Sequence, residues 1–405
     1  MIRLSKLQIG GALLSGGNLL QAVAAFAVNL VLVRYISPSD FGWFALVFAE
    51  ASLVYAVLSI RTNVLVIRAT EAQLDDDSRD MYFNAALQET VIATALIFVW
   101  LWLTNSAGRW ETIIVLTLAV RHWTVLNKAY FERELPYTQL SVVETSAAFA
   151  GQLAALAVVL LGGGWIALVL RELAQTVMTL LALIRVRGVT LRRLRLLGPN
   201  DYQRLYYESR GVWLDGMLEA TFGRLAIMAA GYIGGDALAG LVFQAQRLAS
   251  VPHQVLAPFV NRIIMNWFSR VEEDDVRRRG RFRAVLVTIV LLSLAAIMTL
   301  LFADPVVPWL LGEDWAGTAP LMMGMVGLIV FLSPFEILRS YCVAIHRTRI
   351  VLVARIVQHL GFIIPVALAA LGVIASSTGL SFGFSVAYAA AFIAVMLQLR
   401  HFERT

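Results

Sequence analysis

Long apolar runs separated by short polar segments make up most of this chain. Helices that cross a bilayer need about 20 mainly apolar residues, whereas strands of a membrane barrel are about 10 residues long and alternate. The runs have the length and the continuous apolar character of helices. The pattern therefore predicts an all-α polytopic membrane protein of about twelve transmembrane helices, at 10–33, 42–66, 82–104, 111–131, 138–161, 165–185, 211–232, 238–264, 284–303, 318–338, 350–372 and 377–399.

Composition excludes several other classes of protein. Apolar residues form 59% of the chain and charged residues 15%, against roughly 25% charged in a typical soluble domain. The net charge of +6 does not predict nucleic-acid binding, because the basic residues lie in short loops and form no stripe on one face. The single cysteine, Cys342, excludes a cysteine-based metal site. We expect no metal and no cofactor.

Lysine and arginine are distributed unequally between the two sides of the predicted membrane. With the N-terminus inside, 27 of the 33 basic residues fall in inner loops and flanks, two fall outside and four lie within helices. An excess of basic residues marks the cytoplasmic side. We expect a multi-pass protein of the cell inner membrane with both termini in the cytoplasm.

The chain also divides into two similar halves. Six predicted spans lie on each side of a basic segment, giving an N-terminal lobe 1–187, a cytoplasmic linker 188–210 and a C-terminal lobe 211–405. At an offset of 198, Gly42 aligns with Gly240, and the acidic run 75–77 aligns with 273–275. An even number of spans per repeat predicts two six-helix lobes around a central cavity, related by a parallel pseudo-two-fold axis.

Four segments carry a resemblance to a known family. They are 32–42 (LVRYISPSDFG), 131–137 (FERELPY), 234–252 (GGDALAGLVFQAQRLASVP) and 310–315 (LLGEDW). In the first, Ser37 and Pro38 should end one helix, and Asp40 should cap the next. In this order the segments resemble the polysaccharide-biosynthesis and O-antigen flippase branch of the multidrug/oligosaccharidyl-lipid/polysaccharide (MOP) exporter superfamily.

That resemblance implies a carrier that works by alternating access. Its substrate would be an oligosaccharide linked to undecaprenyl pyrophosphate, moved across the membrane for exopolysaccharide, capsule or O-antigen synthesis. A polysaccharide polymerase and a chain-length regulator are the implied protein partners, beside membrane lipids.

Charged side chains within the predicted spans are the candidates for substrate contact. Such charges are costly in a bilayer and usually face a cavity or a partner. Arginine can grip phosphate oxygens through two parallel bonds, so we expect headgroup contacts from Arg61, Arg224 and Arg247, with Arg121 as a further candidate. Alternatively, Arg61 only reaches the membrane interface, and Arg224 and Arg247 pair with Asp215 and Glu219, which lie one helical turn apart.

Other polar residues within the spans suggest supporting roles. Asn18, Gln21 and Asn29 share a face of the first helix, where they would bond sugar hydroxyls or join neighbouring helices. Glu50, Asp215 and Glu219 are candidates for H⁺ or Na⁺ coupling, because a carboxylate in a low-dielectric cavity can change its protonation state. We interpret three further sets as packing pairs: Arg171 with Glu172, Glu336 with Arg339, and Arg355 with His359.

Two other functions fit parts of the pattern. An ion-coupled multidrug exporter of the same superfamily would favour carboxylates and aromatic residues over several cavity arginines. A membrane glycan polymerase would need a large outer loop, which the short outer segments do not provide. The chain lacks a Walker loop for ATP, so we expect ion-driven transport and no enzymatic activity.

Overall fold

A computed structural model describes residues 6–403 except 71–72, 134–136, 190, 259, 261–263 and 272; for 6–19, 137–138, 211–212, 258, 266 and 269 it describes the backbone alone. The described part contains helices and connecting turns but no strand. Its helices are α1 Lys6–Tyr35, α2 Pro38–Leu58, α3 Thr62–Arg68, α4 Asp76–Leu103, α5 Arg109–Arg133, α6 Tyr137–Leu160, α7 Ile166–Arg185, α8 Pro199–Ala249, α9 Val251–Pro258, α10 Met265–Arg270, α11 Asp274–Leu311, α12 Thr318–Gly324, α13 Val326–Ala344, α14 Thr348–Ala370 and α15 Ser376–Phe402.

The outer surface of these helices is apolar. On α11, Val290, Leu294 and Leu301 are each more than half exposed, and the same holds for many large apolar side chains on other long helices. Among the described residues, nine helices are long and apolar enough to cross a membrane, and Leu20–Tyr35 is a shorter apolar segment. The protein is therefore a multi-pass, all-helical membrane protein, while the count of twelve crossings stays a prediction.

The chain forms two compact units. The first comprises Met1–Ile36 and Val47–Arg224, and the second comprises Ser37–Leu46 and Leu225–Thr405. In the first unit α6 packs against both α1 and α7, and in the second α15 packs against both α13 and α14. Helices α2 and α8 each contribute residues to both units.

The predicted lobe boundary at 188–210 stays a prediction, and in the structure this segment lies wholly in the first unit. Both polar atoms of the Asn84 side chain, on α4, form hydrogen bonds with the backbone of this segment. Its amide donates to the carbonyl of Arg193 at 2.9 Å, and its carbonyl accepts from the N–H of Arg195 at 2.9 Å. Arg192 adds an ion pair with Asp76 at 2.9 Å. The segment is thus part of a packed unit.

The start of α2 differs in detail from the sequence expectation. Ser37 is the capping residue, because its hydroxyl accepts from the N–H of Asp40 at 3.2 Å. Pro38 then occupies the first helical position, where a missing N–H costs nothing. The Ser37 hydroxyl in turn donates to a carboxylate oxygen of Asp40 at 2.8 Å, so the expected role of Asp40 as the cap itself was wrong.

One predicted span is broken in the middle. The run 42–66 divides into α2 and α3, because Arg61 adopts a left-handed backbone with φ 62° and ψ 39°. The break frees backbone groups that need partners inside a membrane. A carboxylate oxygen of Glu89 accepts from the N–H of Ile60 at 3.1 Å, and the Ser59 hydroxyl accepts from the N–H of Arg61 at 3.3 Å.

One expected break is present and one expected span is divided. The gap predicted between spans 211–232 and 238–264 contains Gly235, whose φ of 76° interrupts the helical backbone of α8. The predicted span 318–338 is divided at Met325 into α12 and α13. Of the segments used for the family resemblance, residues 134–136 lie outside the described part of the chain.

The two glycines that the offset of 198 makes equivalent are in contact. A Cβ placed on Gly42 would lie 2.8 Å from the nitrogen of Gly240, and one placed on Gly240 would lie 3.0 Å from the nitrogen of Gly42. Only glycine allows helices α2 and α8 to approach this closely.

Candidate functional site

A polar cavity of about 190 Å³ lies within the first unit. Its walls come from α2, from the break after α2, from the start of α3, from the middle of α5 and from α8. Three of the four predicted cavity cations, Arg61, Arg121 and Arg224, line it together. They come from segments far apart in the sequence and share one small space, so the cavity suits an anion.

Arg61 is turned toward the protein by its left-handed backbone. Its guanidinium donates to the carbonyl of Gly216 on α8, where a Cβ would lie 3.0 Å from the guanidinium carbon. Its Nε is buried and has no hydrogen-bond partner among the described residues. Asp215 and Glu219 interact with it electrostatically. Arg61 is therefore held inside the unit and does not simply extend toward the interface.

Arg224 lies on α8 about two turns beyond Gly216 and is partly buried. Its Nε donates to the hydroxyl of Ser52 on α2 at 2.6 Å, and its Nη1 donates to the carbonyl of Ala220. Within the described residues, its charged neighbours are Arg61 and Arg121. These contacts differ from the expected alternative of pairing with Asp215 and Glu219. A partly buried cation beside two other cations attracts an anionic ligand.

Arg121 on α5 is more exposed and has a carboxylate partner. Its Nη1 lies 3.1 Å from an oxygen of Glu172, whose other oxygen pairs with Arg171 at 3.1 Å. The expected pairing of Arg171 with Glu172 is therefore present. Glu172 therefore offsets part of the charge of Arg121 within the protein.

A buried acid–base pair beside the cavity was missed from the sequence. Glu89 on α4 is only 5% exposed, and its carboxylate lies 3.7 Å from Nε2 of His122, which lines the cavity. The ring of Tyr55 stacks on His122 at 5.2 Å between centroids, and its hydroxyl bonds Thr94 at 2.7 Å. The signal was present, because Glu89 is a carboxylate within a predicted span.

Several predicted residues do not line this cavity. Gln21 donates to Thr145 on α6 at 2.9 Å, which joins two helices, and Asn29 is 1% exposed; the side chain of Asn18 lies outside the described part. Glu50 accepts from the indole of Trp100 at 3.2 Å. Arg247 belongs to the second unit, and its predicted substrate role stays a prediction.

Comparison with known proteins identifies the family. The family described as "Polysaccharide biosynthesis protein" matches residues 31–320 of this 405-residue chain. The chain belongs to the polysaccharide biosynthesis protein family. A relative is the lipopolysaccharide biosynthesis protein WzxC of Escherichia coli (strain K12), 26% identical over 124 residues, which are 29% of this chain and 25% of that protein. This match thus spans a quarter of the length of WzxC.

Two solved structures show that this family member has the fold of the MOP superfamily. An inward-facing multidrug resistance MATE family transporter of that superfamily aligns with a TM-score of 0.68 at 12% identity, over 98% of this chain and 99% of the other. The lipid II flippase MurJ in an inward closed conformation aligns with a TM-score of 0.73 at 10% identity, over 96% and 87%. The expected family and all-helical transporter fold are confirmed.

Proposed function

We propose that the protein is a flippase that moves an oligosaccharide linked to undecaprenyl pyrophosphate across the inner membrane by alternating access. The glycan would serve exopolysaccharide, capsule or O-antigen synthesis. Membership of the polysaccharide biosynthesis family supports the substrate class. The convergence of Arg61, Arg121 and Arg224 on one cavity is the observation that carries the proposal.

The size of the cavity favours a phosphate headgroup over a whole glycan or a drug. Its volume of about 190 Å³ is small beside the roughly 300–1,000 Å³ typical of drug-sized ligand sites. A pyrophosphate is compact and doubly anionic, and the planar fork of an arginine matches its oxygens. In this proposal Arg224 binds the pyrophosphate first, because the neighbouring charges that act on it are those of the cations Arg61 and Arg121.

Coupling to an ion follows from the neighbours of Arg61. Asp215 and Glu219 interact electrostatically with its guanidinium. When Arg61 turns to a pyrophosphate, these carboxylates lose part of their counter-charge, and a proton or Na⁺ replaces it. We propose them as the coupling groups, with Glu50 as a further candidate. A polysaccharide polymerase and a chain-length regulator would act on the delivered glycan.

The decisive experiment follows a fluorescent undecaprenyl-pyrophosphate oligosaccharide across the bilayer of proteoliposomes. Arg224→Ala removes charge-assisted hydrogen bonds worth roughly 1.5–3 kcal/mol, so substrate affinity should fall about 10- to 150-fold. Arg210→Ala is the matched control, because Arg210 lies on the same helix, is exposed and stacks on Tyr207 at 5.4 Å. We expect it to change affinity by less than about twofold.

Each result has a clear meaning. Loss of movement in Arg224→Ala, with normal elution in size-exclusion chromatography and an active Arg210→Ala control, supports the proposal. Unchanged affinity in Arg224→Ala overturns the assignment of this cavity. A wild-type protein that ignores the lipid but extrudes a cationic dye down an ion gradient would instead be a multidrug exporter.

A further inference from the structure

A second pocket lies at one end of the second unit, where α14 begins and α15 ends. Its volume is about 640 Å³. The turn between α13 and α14 forms one wall, and the last residues of α15 form the other. Because α14 and α15 pack against each other, these two ends are held side by side.

The turn between α13 and α14 is tight and points its side chains outward. The N–H of Arg347 donates to the carbonyl of Cys342 at 2.8 Å, and that of His346 donates to the carbonyl of Val343 at 3.1 Å. His346 has a left-handed backbone with φ 58°. Its side chain and those of Arg347 and Arg349 are all exposed and line the pocket.

The pocket collects basic side chains without acidic ones. Arg347, Arg349, His346 and His401 line it, and none of the described lining residues is a carboxylate. The nearby Glu403 is engaged elsewhere, because its carboxylate pairs with Arg281 on α11. Among the described residues, Arg347 and Arg349 make no ion pair.

This arrangement contrasts with other arginines of the same unit. Arg355 and Arg339 both lie 3.1 Å from Glu336, so their charges are offset within the protein. Like charges close together repel each other, and an anion that enters between them removes the repulsion. Arg347 and Arg349 differ from these arginines, because no described carboxylate forms an ion pair with them.

The surroundings of the pocket distinguish a lipid from a free anion. Leu397 and Phe402 line it on α15, and the apolar residues that follow along α14 and α15 are exposed, including Val353 at 44% and Ile393 at 52%. The pocket thus adjoins the apolar outer surface of the helices. The guanidinium of Arg347 lies 4.3 Å from the centre of the Phe402 ring, a stacking contact that orients it.

We propose that this pocket binds the phosphate of an anionic phospholipid, with the arginines and the Thr348 hydroxyl around the headgroup and the acyl chains along α14 and α15. Basic pockets at the ends of membrane helices hold such headgroups. The predicted orientation places this end on the cytoplasmic side. The bound lipid would join the turn between α13 and α14 to the C-terminal end of α15. The proposal does not depend on the transport activity proposed above.

The test is native mass spectrometry of the purified protein with phosphatidylglycerol and, in parallel, phosphatidylcholine. We expect wild type to retain phosphatidylglycerol selectively. The double variant Arg347→Gln, Arg349→Gln should bind it about 30-fold less tightly. The matched control is Arg279→Gln, Arg283→Gln, which removes the same charge from exposed positions of α11 and should stay within about twofold of wild type.

The alternatives give different results. Equal binding of the two lipids by wild type, or unchanged binding in the pocket variant, overturns the proposal. An equal loss in the α11 control indicates general attraction to a basic surface and also overturns it. The last measurement adds inorganic phosphate to the complex with phosphatidylglycerol. If phosphate displaces the lipid at concentrations similar to those at which the lipid binds, the pocket is a free-phosphate site and the phospholipid proposal is overturned. If the pocket variant fails to fold, Arg347→Lys, Arg349→Lys keeps the charge and should retain selectivity.

Discussion

The contact between Gly42 and Gly240 allows a specific prediction about packing. In Gly42→Ala the new Cβ would lie 2.6 Å from the carbonyl carbon of Asp236, and nearer still to its oxygen. In Gly240→Ala it would lie 2.9 Å from the carbonyl carbon of Pro38. Real Cβ atoms do not approach other atoms closer than about 3.0 Å, so α2 and α8 must move apart.

The loss of stability depends on which atoms obstruct the new methyl group. Overpacking usually lowers the free energy of unfolding by about 1–3 kcal/mol. Here the obstructing atoms are backbone carbonyls, which cannot rotate away as the end of a side chain can, so we expect the upper part of that range. Because both substitutions widen the same contact, the double variant should cost less than the sum of the single ones.

The assay is thermal unfolding in detergent, followed by tryptophan fluorescence. Gly198→Ala is the matched control, because a Cβ at Gly198 meets nothing within 4 Å. We expect the melting temperature of Gly42→Ala to fall clearly below that of wild type and that of Gly198→Ala to stay near it. Equal melting temperatures for all three proteins would refute the close helix approach.

Two further predictions concern charged groups. Glu336→Gln leaves the buried guanidinium of Arg355, 3.1 Å away, without its carboxylate, which should lower the free energy of unfolding by about 3–5 kcal/mol. The double variant with Arg355→Met should recover most of this loss in unfolding measurements. A double variant as unstable as the single one would contradict the pairing. The hydrogen bonds from Ser78 lower the pKa of Asp75, so the cap stabilises α4 above pH about 4 and is lost as the pH falls through the lowered pKa. In wild type, hydrogen-exchange protection of the first turn of α4 should decrease as the pH falls through the lowered pKa of Asp75. In Asp75→Asn, which keeps a capping oxygen, the protection should not change over this pH range. The same decrease in both proteins would exclude Asp75 as its cause.

Part of the candidate site could be predicted from isolated residues. A charge within an apolar run is visible in the sequence, because the bilayer makes it costly. This rule selected Arg61, Arg121 and Arg224, which line one cavity. Applied evenly, it would also have selected Glu89. The rule could not separate Gln21 from the cavity-lining residues, because the bond of Gln21 to Thr145 joins residues 124 positions apart.

The break in the second predicted span shows why local pattern was insufficient. The run 42–66 reads as one apolar helix, and nothing within it demands an interruption. The interruption is stabilised by Glu89, which accepts the N–H of Ile60 from another helix, and by the contact of Arg61 with Gly216 on a third. Such partners are known only when the helices are packed.

The sequence by itself determined the membrane environment, the helical class and the family, because these depend on apolar run length, basic-residue placement and short motifs. Only the tertiary structure decided where the second predicted span breaks, which arginines share a cavity, and which cations pair with carboxylates on other helices, as Arg121 does with Glu172. Those features depend on distances between residues far apart in the chain. In a bilayer the apolar runs fix where each helix lies in depth, but side-chain packing fixes what each helix faces.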